Sequence, residues 1–153
     1  MTNYRILFYF LFFILTSCTQ HTNLYKSVCD QDKVYRKIDM SDLLTYINDY
    51  NGEYVELEGK YKSGFEESAL YDKSNFDDND TKRALWVNFD DFIIRCPLIS
   101  SRTKLDLFSR EKSYRNMINK TVILHGRIDI NQKGHLSMYR ASLKDITLVV
   151  IKR

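Results

Sequence analysis

Two segments of the chain repeat one pattern, and this repeat constrains the fold more than any other feature. Residues 55–61 read Val-Glu-Leu-Glu-Gly-Lys-Tyr, and residues 122–128 read Val-Ile-Leu-His-Gly-Arg-Ile. Alternating apolar residues predict half-buried strands, and a glycine inside a strand indicates a bend or a bulge. Strongly coiled strands of this kind are what a small closed barrel requires. The repeat therefore predicts two barrel strands that curl at Gly59 and Gly126.

Further elements follow from the spacing of apolar residues. Strands are predicted over residues 53–62, 69–71, 84–89, 121–130 and 146–151. A helix is predicted from Ser41 to Tyr50, because Leu43 and Ile47 lie on one apolar face and Ser41 can cap the first turn. Gly52 can end this helix in a left-handed turn. A second helix is predicted within residues 100–119.

The loop near the C-terminus has a turn composition. Residues 131–134 read Asn-Gln-Lys-Gly, which is typical of a hairpin loop, and residues 135–139 are expected to pair back as a strand.

The order of these elements indicates a mainly β fold, β or α+β, with one or two helices. It resembles the OB-fold, a small five-stranded Greek-key barrel that often carries a helix between its third and fourth strands. The resemblance covers about residues 53–151 and implies a five- to six-stranded barrel preceded by a short helix. The alternative is an unrelated small α+β or β-sandwich domain. Either way, residues 38–153 are expected to form a single globular domain.

The first 17 residues have the composition of a secretory leader. Arg5 precedes an apolar run, Ile6 to Leu15, that is about ten residues long, whereas a membrane-spanning helix needs about 20. The run ends in Leu15-Thr16-Ser17-Cys18, which resembles the lipobox of bacterial lipoproteins. A plain signal peptide or a membrane anchor is the alternative.

The lipobox resemblance implies cleavage before Cys18 and attachment of several fatty-acyl chains such as palmitate to this residue. Residues 18–37 are polar and are expected to form a lipidated tether that ends in a short strand near Tyr35. Because Thr19 is not aspartate, the resemblance to lipoproteins of two-membrane bacteria implies a cell-envelope protein sorted to the outer membrane and facing the periplasm. The membrane is then a partner through the lipid on Cys18.

The charge balance disfavours nucleic acid as a partner. Arg5 is the charged residue of the leader, so 22 basic and 20 acidic residues remain after it. A nucleic-acid-binding domain needs a basic stripe instead.

Two cysteines, Cys29 and Cys96, remain in the exported part of the chain. Disulfides persist outside the cytosol, and an even pair is compatible with a bridge between them. Alternatively, Cys96, which stands among Ile93, Ile94 and Leu98, is a small buried hydrophobic residue.

No catalytic, metal or cofactor signature occurs in the sequence. The acidic run 77–80 fails the EF-hand pattern, because Arg83 and Phe89 stand where a glycine and a glutamate are required. His125 and His135 lack the spacing of a zinc helix. His125 is out of phase with Val122 and Leu124, so it is expected on the exposed face of its strand. No metal ligands, catalytic residues or cofactors are therefore expected.

A binding face is the remaining candidate site. In OB-folds the second and third strands and the neighbouring loops bind oligonucleotides or oligosaccharides. In this chain that region, with the loop near His135, contributes aromatic and cationic candidates for ligand binding: Tyr71, Arg83, Trp86, Phe89 and His135. Alternatively, Trp86 belongs to the core, since Leu85 and Val87 flank it.

Two functions fit these observations. One is a lipid-anchored binding or adaptor module of the cell envelope that holds a protein or a glycan. The other is a hydrolase of envelope polymers without a recognisable motif, for which His125, His135 and Glu67 are the residues to test.

Overall fold

The computed structural model describes residues 22–30, 32–76, 79–89 and 92–152. The predicted leader and the lipidation site Cys18 lie outside the described residues. Within the described ranges, none of the helices has the length and apolar character needed to cross a membrane.

The fold is mainly β, as the sequence predicts. The strands are β1 (Asn23–Lys26), β2 (Arg36–Lys37), β3 (Tyr54–Gly64), β4 (Glu67–Tyr71), β5 (Ala84–Val87), β6 (Ile99–Ser100), β7 (Thr121–Asp129) and β8 (Ala141–Ile151). The short α-helices are α1 (Met40–Thr45), α2 (Phe92–Arg95) and α3 (Glu111–Arg115). Single 3₁₀ turns occupy residues 28–30, 47–50, 73–75, 81–83 and 135–137.

Five strands close into a small barrel. Strands β3, β4 and β5 form an antiparallel meander, and β5 pairs in parallel with the start of β8. Strand β8 pairs with β7, and β7 pairs with β3 to complete the ring. This closed five-stranded arrangement is compatible with an OB-fold. Strands β1, β2 and β6 extend the sheet outside the ring.

The two repeated motifs pair with each other to close the barrel. Leu57 lies opposite Leu124, and the antiparallel register then places Val55 opposite Gly126 and Gly59 opposite Val122. Each glycine thus faces the valine of the other motif. The repeat is therefore one two-stranded seam with approximate two-fold symmetry.

The glycines of the seam lie inside the barrel, where other side chains need their space. A Cβ atom at Gly59 would lie 2.6 Å from the Tyr71 carbonyl oxygen and 2.8 Å from Leu70 Cγ. A Cβ atom at Gly126 would lie 2.9 Å from Leu143 Cγ. The strand pairing also shifts register between His125 and Arg127, so β8 bulges opposite Gly126. At both predicted bends, the glycine allows a close contact with a neighbouring strand. A β-bulge lies opposite Gly126.

The core fills the barrel and continues under α1 and α3. Inward-facing residues of the ring are almost fully buried: Val55, Leu57, Tyr61, Leu70, Leu85, Val87, Val122, Leu124, Ile128, Leu143 and Val149. Leu43 and Ile47 cover one side of the core, and Met117 covers another. The apolar face predicted for residues 41–50 therefore packs as expected through Leu43 and Ile47, whereas Tyr46 is exposed.

The predicted first helix is shorter than expected and is capped by a different residue. Asp39, not Ser41, is the N-cap, because its Oδ1 accepts a hydrogen bond from the Ser41 N–H at 2.9 Å. The α-helix ends at Thr45, and residues 47–50 continue as a 3₁₀ turn. Gly52 has φ +86°, as its predicted role in a left-handed turn requires.

The second predicted helix, within residues 100–119, forms only between Glu111 and Arg115. In the preceding segment, side-chain oxygens accept hydrogen bonds from backbone N–H groups that would bind carbonyl oxygens in a helix. Ser100 Oγ accepts from the Thr103 N–H at 3.1 Å, and Asp106 Oδ1 accepts from the Phe108 N–H at 2.7 Å. Such side-chain hydrogen bonds compete with helix formation.

Most of the described part of the predicted tether belongs to the folded domain. Strand β1 pairs with both β8 and β6, and Tyr25 is buried. A disulfide joins Cys29, just after β1, to Cys96, just after α2. By the chain-entropy model, a bridge across 67 residues contributes about 4 kcal/mol to stability. The described residues from Asn23 onward therefore pack together with the domain predicted over residues 38–153.

We expect Gly59→Ala to destabilise the fold by about 1–3 kcal/mol, the usual cost of overpacking a filled core. The matched control is Gly64→Ala in the same strand, where the added methyl group would meet only Glu67 Oε2 at 3.6 Å. Urea unfolding followed by the fluorescence of the single tryptophan measures both variants. Equal stability of the two variants would contradict the close contact at Gly59.

Candidate functional site

The outer surface of β4 and β5 carries an aromatic cluster. Side chains alternate along a strand, so Leu70 and Leu85 point into the barrel while Tyr71 and Trp86 point outward. Tyr139, from the loop before β8, packs on this outer face, with its ring centroid 5.4 Å from that of Trp86. Tyr71 is almost fully buried under this cover, and Trp86 is half-buried. Trp86 therefore lies at the edge of a small second core outside the barrel.

The loop over residues 130–140 wraps against the tryptophan. A Cβ atom at Gly134 would lie 2.6 Å from the Trp86 ring, so only glycine permits this approach. Gly134, Leu136 and Ser137 all have positive φ, at 65°, 50° and 57°. These dihedrals are incompatible with a strand, so the prediction that residues 135–139 pair back was wrong. Residues 135–137 form a 3₁₀ turn instead.

A histidine–carboxylate contact joins this loop to the turn between β3 and β4. His135 Nε2 lies 3.0 Å from Glu66 Oε2. Three large apolar side chains remain exposed on the same two segments: Phe65, Leu136 and Met138. The 130–140 loop and the β3–β4 turn are thus joined beside the aromatic cluster.

A polar pocket of about 360 Å³ opens between the loop and the tryptophan. We call it the Trp86 pocket. Its lining consists of Trp86, Asn88, Asn131, Gln132, Lys133, Gly134, Ser137 and Ser142. One aromatic ring beside amide, hydroxyl and ammonium groups gives both an apolar surface and hydrogen-bonding groups of both kinds. Ligand pockets combine these features to bind and orient polar molecules.

Ser142 is the buried polar residue of this lining. It lies opposite Trp86 in the β5–β8 pairing and is fully buried. Among the described residues, its Oγ has no hydrogen-bond partner. An unpaired buried hydroxyl costs stability, and such a group in a pocket requires an explanation. The sequence prediction missed Ser142, because it started the last strand at Ile146 and because no motif marks a single serine.

The structure brings together only part of the predicted ligand-binding set. Trp86 lines the pocket, Tyr71 packs in the adjoining cluster, and His135 lies in the loop over it. Arg83 is exposed at the end of the 81–83 turn just before β5. Phe89 packs on the opposite side, in the main core, with its ring 5.2 Å from that of Phe108 and 6.0 Å from that of Tyr61. Phe89 therefore does not share the pocket with Trp86.

Tyr71 is held as a neutral phenol within the cluster. Burial raises its pKa, and its hydrogen bond to Glu67 Oε1, at 2.9 Å, raises it further. Lys62 in turn lies 3.7 Å from the Glu67 carboxylate. Glu67 thus has structural partners of its own.

A second polar cluster holds the N-terminal segment against the barrel, and we call it the clasp. It consists of Asp30, Tyr35, Glu56, His125 and Thr147. His125 points away from the barrel interior, as predicted, but it is covered: the ring of Tyr35 stacks on it with centroids 4.2 Å apart. His125 Nε2 lies 2.9 Å from Glu56 Oε2, and its Nδ1 lies 3.8 Å from Asp30 Oδ1. The expectation of an exposed histidine was therefore wrong, because Asp30 and Tyr35 lie over this face.

The carboxylate of Asp30 anchors this clasp. Thr147 Oγ1 donates to Asp30 Oδ1 at 2.8 Å, so the Tyr35 hydroxyl must donate to Thr147 Oγ1, at 2.6 Å. Burial alone would raise the pKa of Asp30, but hydrogen bonds from Lys26 and Thr147 hold it below its ordinary value of 3.8. These contacts join β1 and the 28–30 turn to β8.

Another cleft, of about 240 Å³, lies between residues 37–40 and the outer side chains of β3. Its charges already have partners within the protein. Glu58 pairs with both Lys73 and Lys152, and Glu56 pairs with His125. Asp39 caps α1, and Asp72 caps the 73–75 turn. This cleft therefore offers a ligand few unpaired groups.

The described residues contain no group of three or more His, Cys, Asp or Glu side chains arranged to hold a metal ion. Asp77 and Asp78 of the acidic run lie outside the described residues. Asp80 caps the 81–83 turn, where its Oδ1 accepts from the Lys82 N–H at 3.0 Å.

Comparison with known proteins gives no relative from which a function can be transferred. No family model, no curated protein and no solved structure matches this chain.

We expect Ser142→Ala to leave the fold as stable as the wild type or to stabilise it by about 1 kcal/mol, because it removes an unpaired buried hydroxyl. The matched control is Ser68→Ala. Ser68 Oγ donates to the Val87 carbonyl at 2.7 Å and lies 2.9 Å from the Tyr61 hydroxyl, so its loss should cost about 1 kcal/mol. Urea unfolding measures both. A clear loss of stability in Ser142→Ala would show that the hydroxyl has a partner in the folded protein.

We expect Asp30→Asn to destabilise the protein by about 2 kcal/mol at neutral pH, since it weakens hydrogen bonds to a charged group. Because the pKa of Asp30 is lowered on folding, its contribution is full above pH 3.8 and is lost as the pH falls through the folded value. The stability gap between wild type and variant should therefore close below pH 3.8. Asp32→Asn, at an exposed position of the same segment, is the control. A gap that is independent of pH would contradict the role of the charge.

Proposed function

We propose that this protein is a lipid-anchored binding module of the cell envelope and that its ligand occupies the Trp86 pocket. The observation that carries the proposal is the buried, unpartnered hydroxyl of Ser142 in the lining of a polar pocket beside Trp86. The pocket also lies on the face formed by the second and third barrel strands and the loop between the fourth and fifth. OB-folds use this region to bind oligonucleotides and oligosaccharides.

The anchor rests on the resemblance of residues 15–18 to a lipobox. Acyl chains on Cys18 would hold the protein at a leaflet, and more than one chain is needed for stable attachment. Strand β1 begins at Asn23, so the fully extended chain from Cys18 spans about 17 Å. The barrel would therefore stay close to the membrane surface. In a two-membrane bacterium, the absence of aspartate after Cys18 supports the outer membrane and a periplasmic orientation.

We expect the wild-type protein to incorporate radioactive palmitate and to fractionate with membranes, and Cys18→Ala to do neither, because the thiol is the acceptor. Thr19→Ala is the matched control and should keep the label. Thr19→Asp should keep the label but move the protein to the inner membrane on a density gradient. Labelling of Cys18→Ala would contradict lipidation at this residue.

We expect Trp86→Ala and Ser142→Ala to lose binding to envelope glycans or proteins, since one removes the aromatic side of the pocket and the other a buried hydroxyl. Full-length protein in detergent is used for capture from solubilised envelopes and for glycan arrays. Tyr46→Ala, which removes an exposed aromatic side chain outside the pocket, is the control. Because Ser142→Ala should not impair folding, its loss of binding reports on the pocket itself.

Binding that survives in folded Trp86→Ala and Ser142→Ala proteins would contradict the proposal. The hydrolase alternative is tested with the same ligands. His125 lies in the clasp. Glu67 binds Tyr71 of the aromatic cluster, and His135 contacts Glu66 beside that cluster. Cleavage of a captured glycan that is abolished by His135→Ala would favour the enzyme over the binding module.

A further inference from the structure

A second pocket, of about 280 Å³, borders the other side of the 130–140 loop. Its lining consists of Ile47, Asn48, Ile130, Asn131, Lys133 and Arg140. Asn131 and Lys133 line both this pocket and the Trp86 pocket. The two pockets are therefore adjacent, and one ligand of several units can reach both.

The charge of this double pocket is positive. Neither lining includes an Asp or Glu side chain. In the part of the chain that the structure describes, Lys133 and Arg140 form no ion pair, whereas the neighbouring cations Arg127 and Lys144 pair with Asp145 and Asp129. Lys133 and Arg140 are both exposed, so their charges are available to a ligand.

We infer that the double pocket binds an acidic glycan, with a sugar ring beside Trp86 and a uronate carboxylate at Lys133 and Arg140. This inference rests on the proposed function, since it assigns the ligand of the same pocket. The guanidinium group of Arg140 matches the planar geometry of a carboxylate and can bind it through two hydrogen bonds.

The remaining groups of the lining suit the neutral part of such a ligand. A sugar presents hydroxyl groups that both donate and accept hydrogen bonds. The amides of Asn131 and Gln132 can do the same, and the Ser142 hydroxyl still has its donor and acceptor capacity. An aromatic ring provides the flat apolar surface on which the C–H face of a sugar stacks. A site for a free anion alone would need neither the tryptophan nor the buried hydroxyl.

The test compares an oligogalacturonate with its methyl-esterified, neutral form by isothermal titration calorimetry on the full-length protein in detergent. We expect the wild type to prefer the acidic form, and Lys133→Gln/Arg140→Gln to weaken that form by about tenfold for each cation lost. Binding of the neutral ester should not change in this variant. Arg102→Gln/Lys112→Gln removes two exposed cations elsewhere and is the control, with unchanged binding expected for both forms.

Four results would overturn the inference. Equal affinity of the wild type for the acid and the ester would show that the carboxylate does not contribute to binding. If folded Ser142→Ala then lost binding of both ligands, the proposed function would still be supported. Equal weakening in the two double variants would show only a general charge effect. Displacement by inorganic phosphate, but not by acetate at equal ionic strength, would assign the cations to a phosphoryl group. Failure to bind either form would exclude uronates, and envelope capture would then decide the proposed function separately.

Discussion

The pairing of β3 with β7 is the interaction on which the rest of the structure depends. Leu57 meets Leu124 at the centre of this seam, and each motif places its glycine opposite the valine of the other. The absence of side chains at Gly59 and Gly126 leaves space that Leu70, Leu143 and Ile146 fill. Closure of the barrel and packing of its interior therefore depend on the same two glycines. The barrel leaves no free edge at this seam, where the unpaired backbone groups of two strands would otherwise invite association with other chains.

Closure also determines where a pocket can form. Because β7 pairs with β3 along one edge, β8 pairs with its other edge and lies parallel to β5, which closes the ring. The 130–140 loop therefore passes over the outer face of β5 and meets Trp86. Gly134 permits the contact, and the positive φ values of Leu136 and Ser137 turn the chain back toward Tyr139 and β8. Backbone strain of this kind is tolerated where the surroundings fix it, and it concentrates at functional sites.

Local patterns predicted the barrel strands well and the site only in part. The alternation around Leu57 and Leu124 is a local property. In contrast, the spacing of apolar residues does not show whether Asp39 or Ser41 caps α1. The orientation of Trp86 follows strand alternation, but its cover by Tyr139 is a long-range contact. Ser142 carries no sequence signal, since its importance arises only from burial without a partner. The exposure of His125 was also predicted wrongly, because no local pattern shows that Tyr35 packs over it.

One strand connects the pocket to the N-terminal segment. Strand β8 carries Ser142 near its start and pairs at its end with β1, where Ile151 lies opposite Asn23. Nine residues separate these two positions, about 30 Å along an extended strand. The Cys29–Cys96 disulfide and the Asp30–Thr147 hydrogen bond hold the N-terminal segment to the same framework. In the proposed lipoprotein, only a few residues lie between the lipid on Cys18 and this framework, so the pocket would stay within a limited distance of the leaflet. Such a geometry suits a module that holds an envelope ligand in place, since a long flexible tether would leave the position of the ligand undefined.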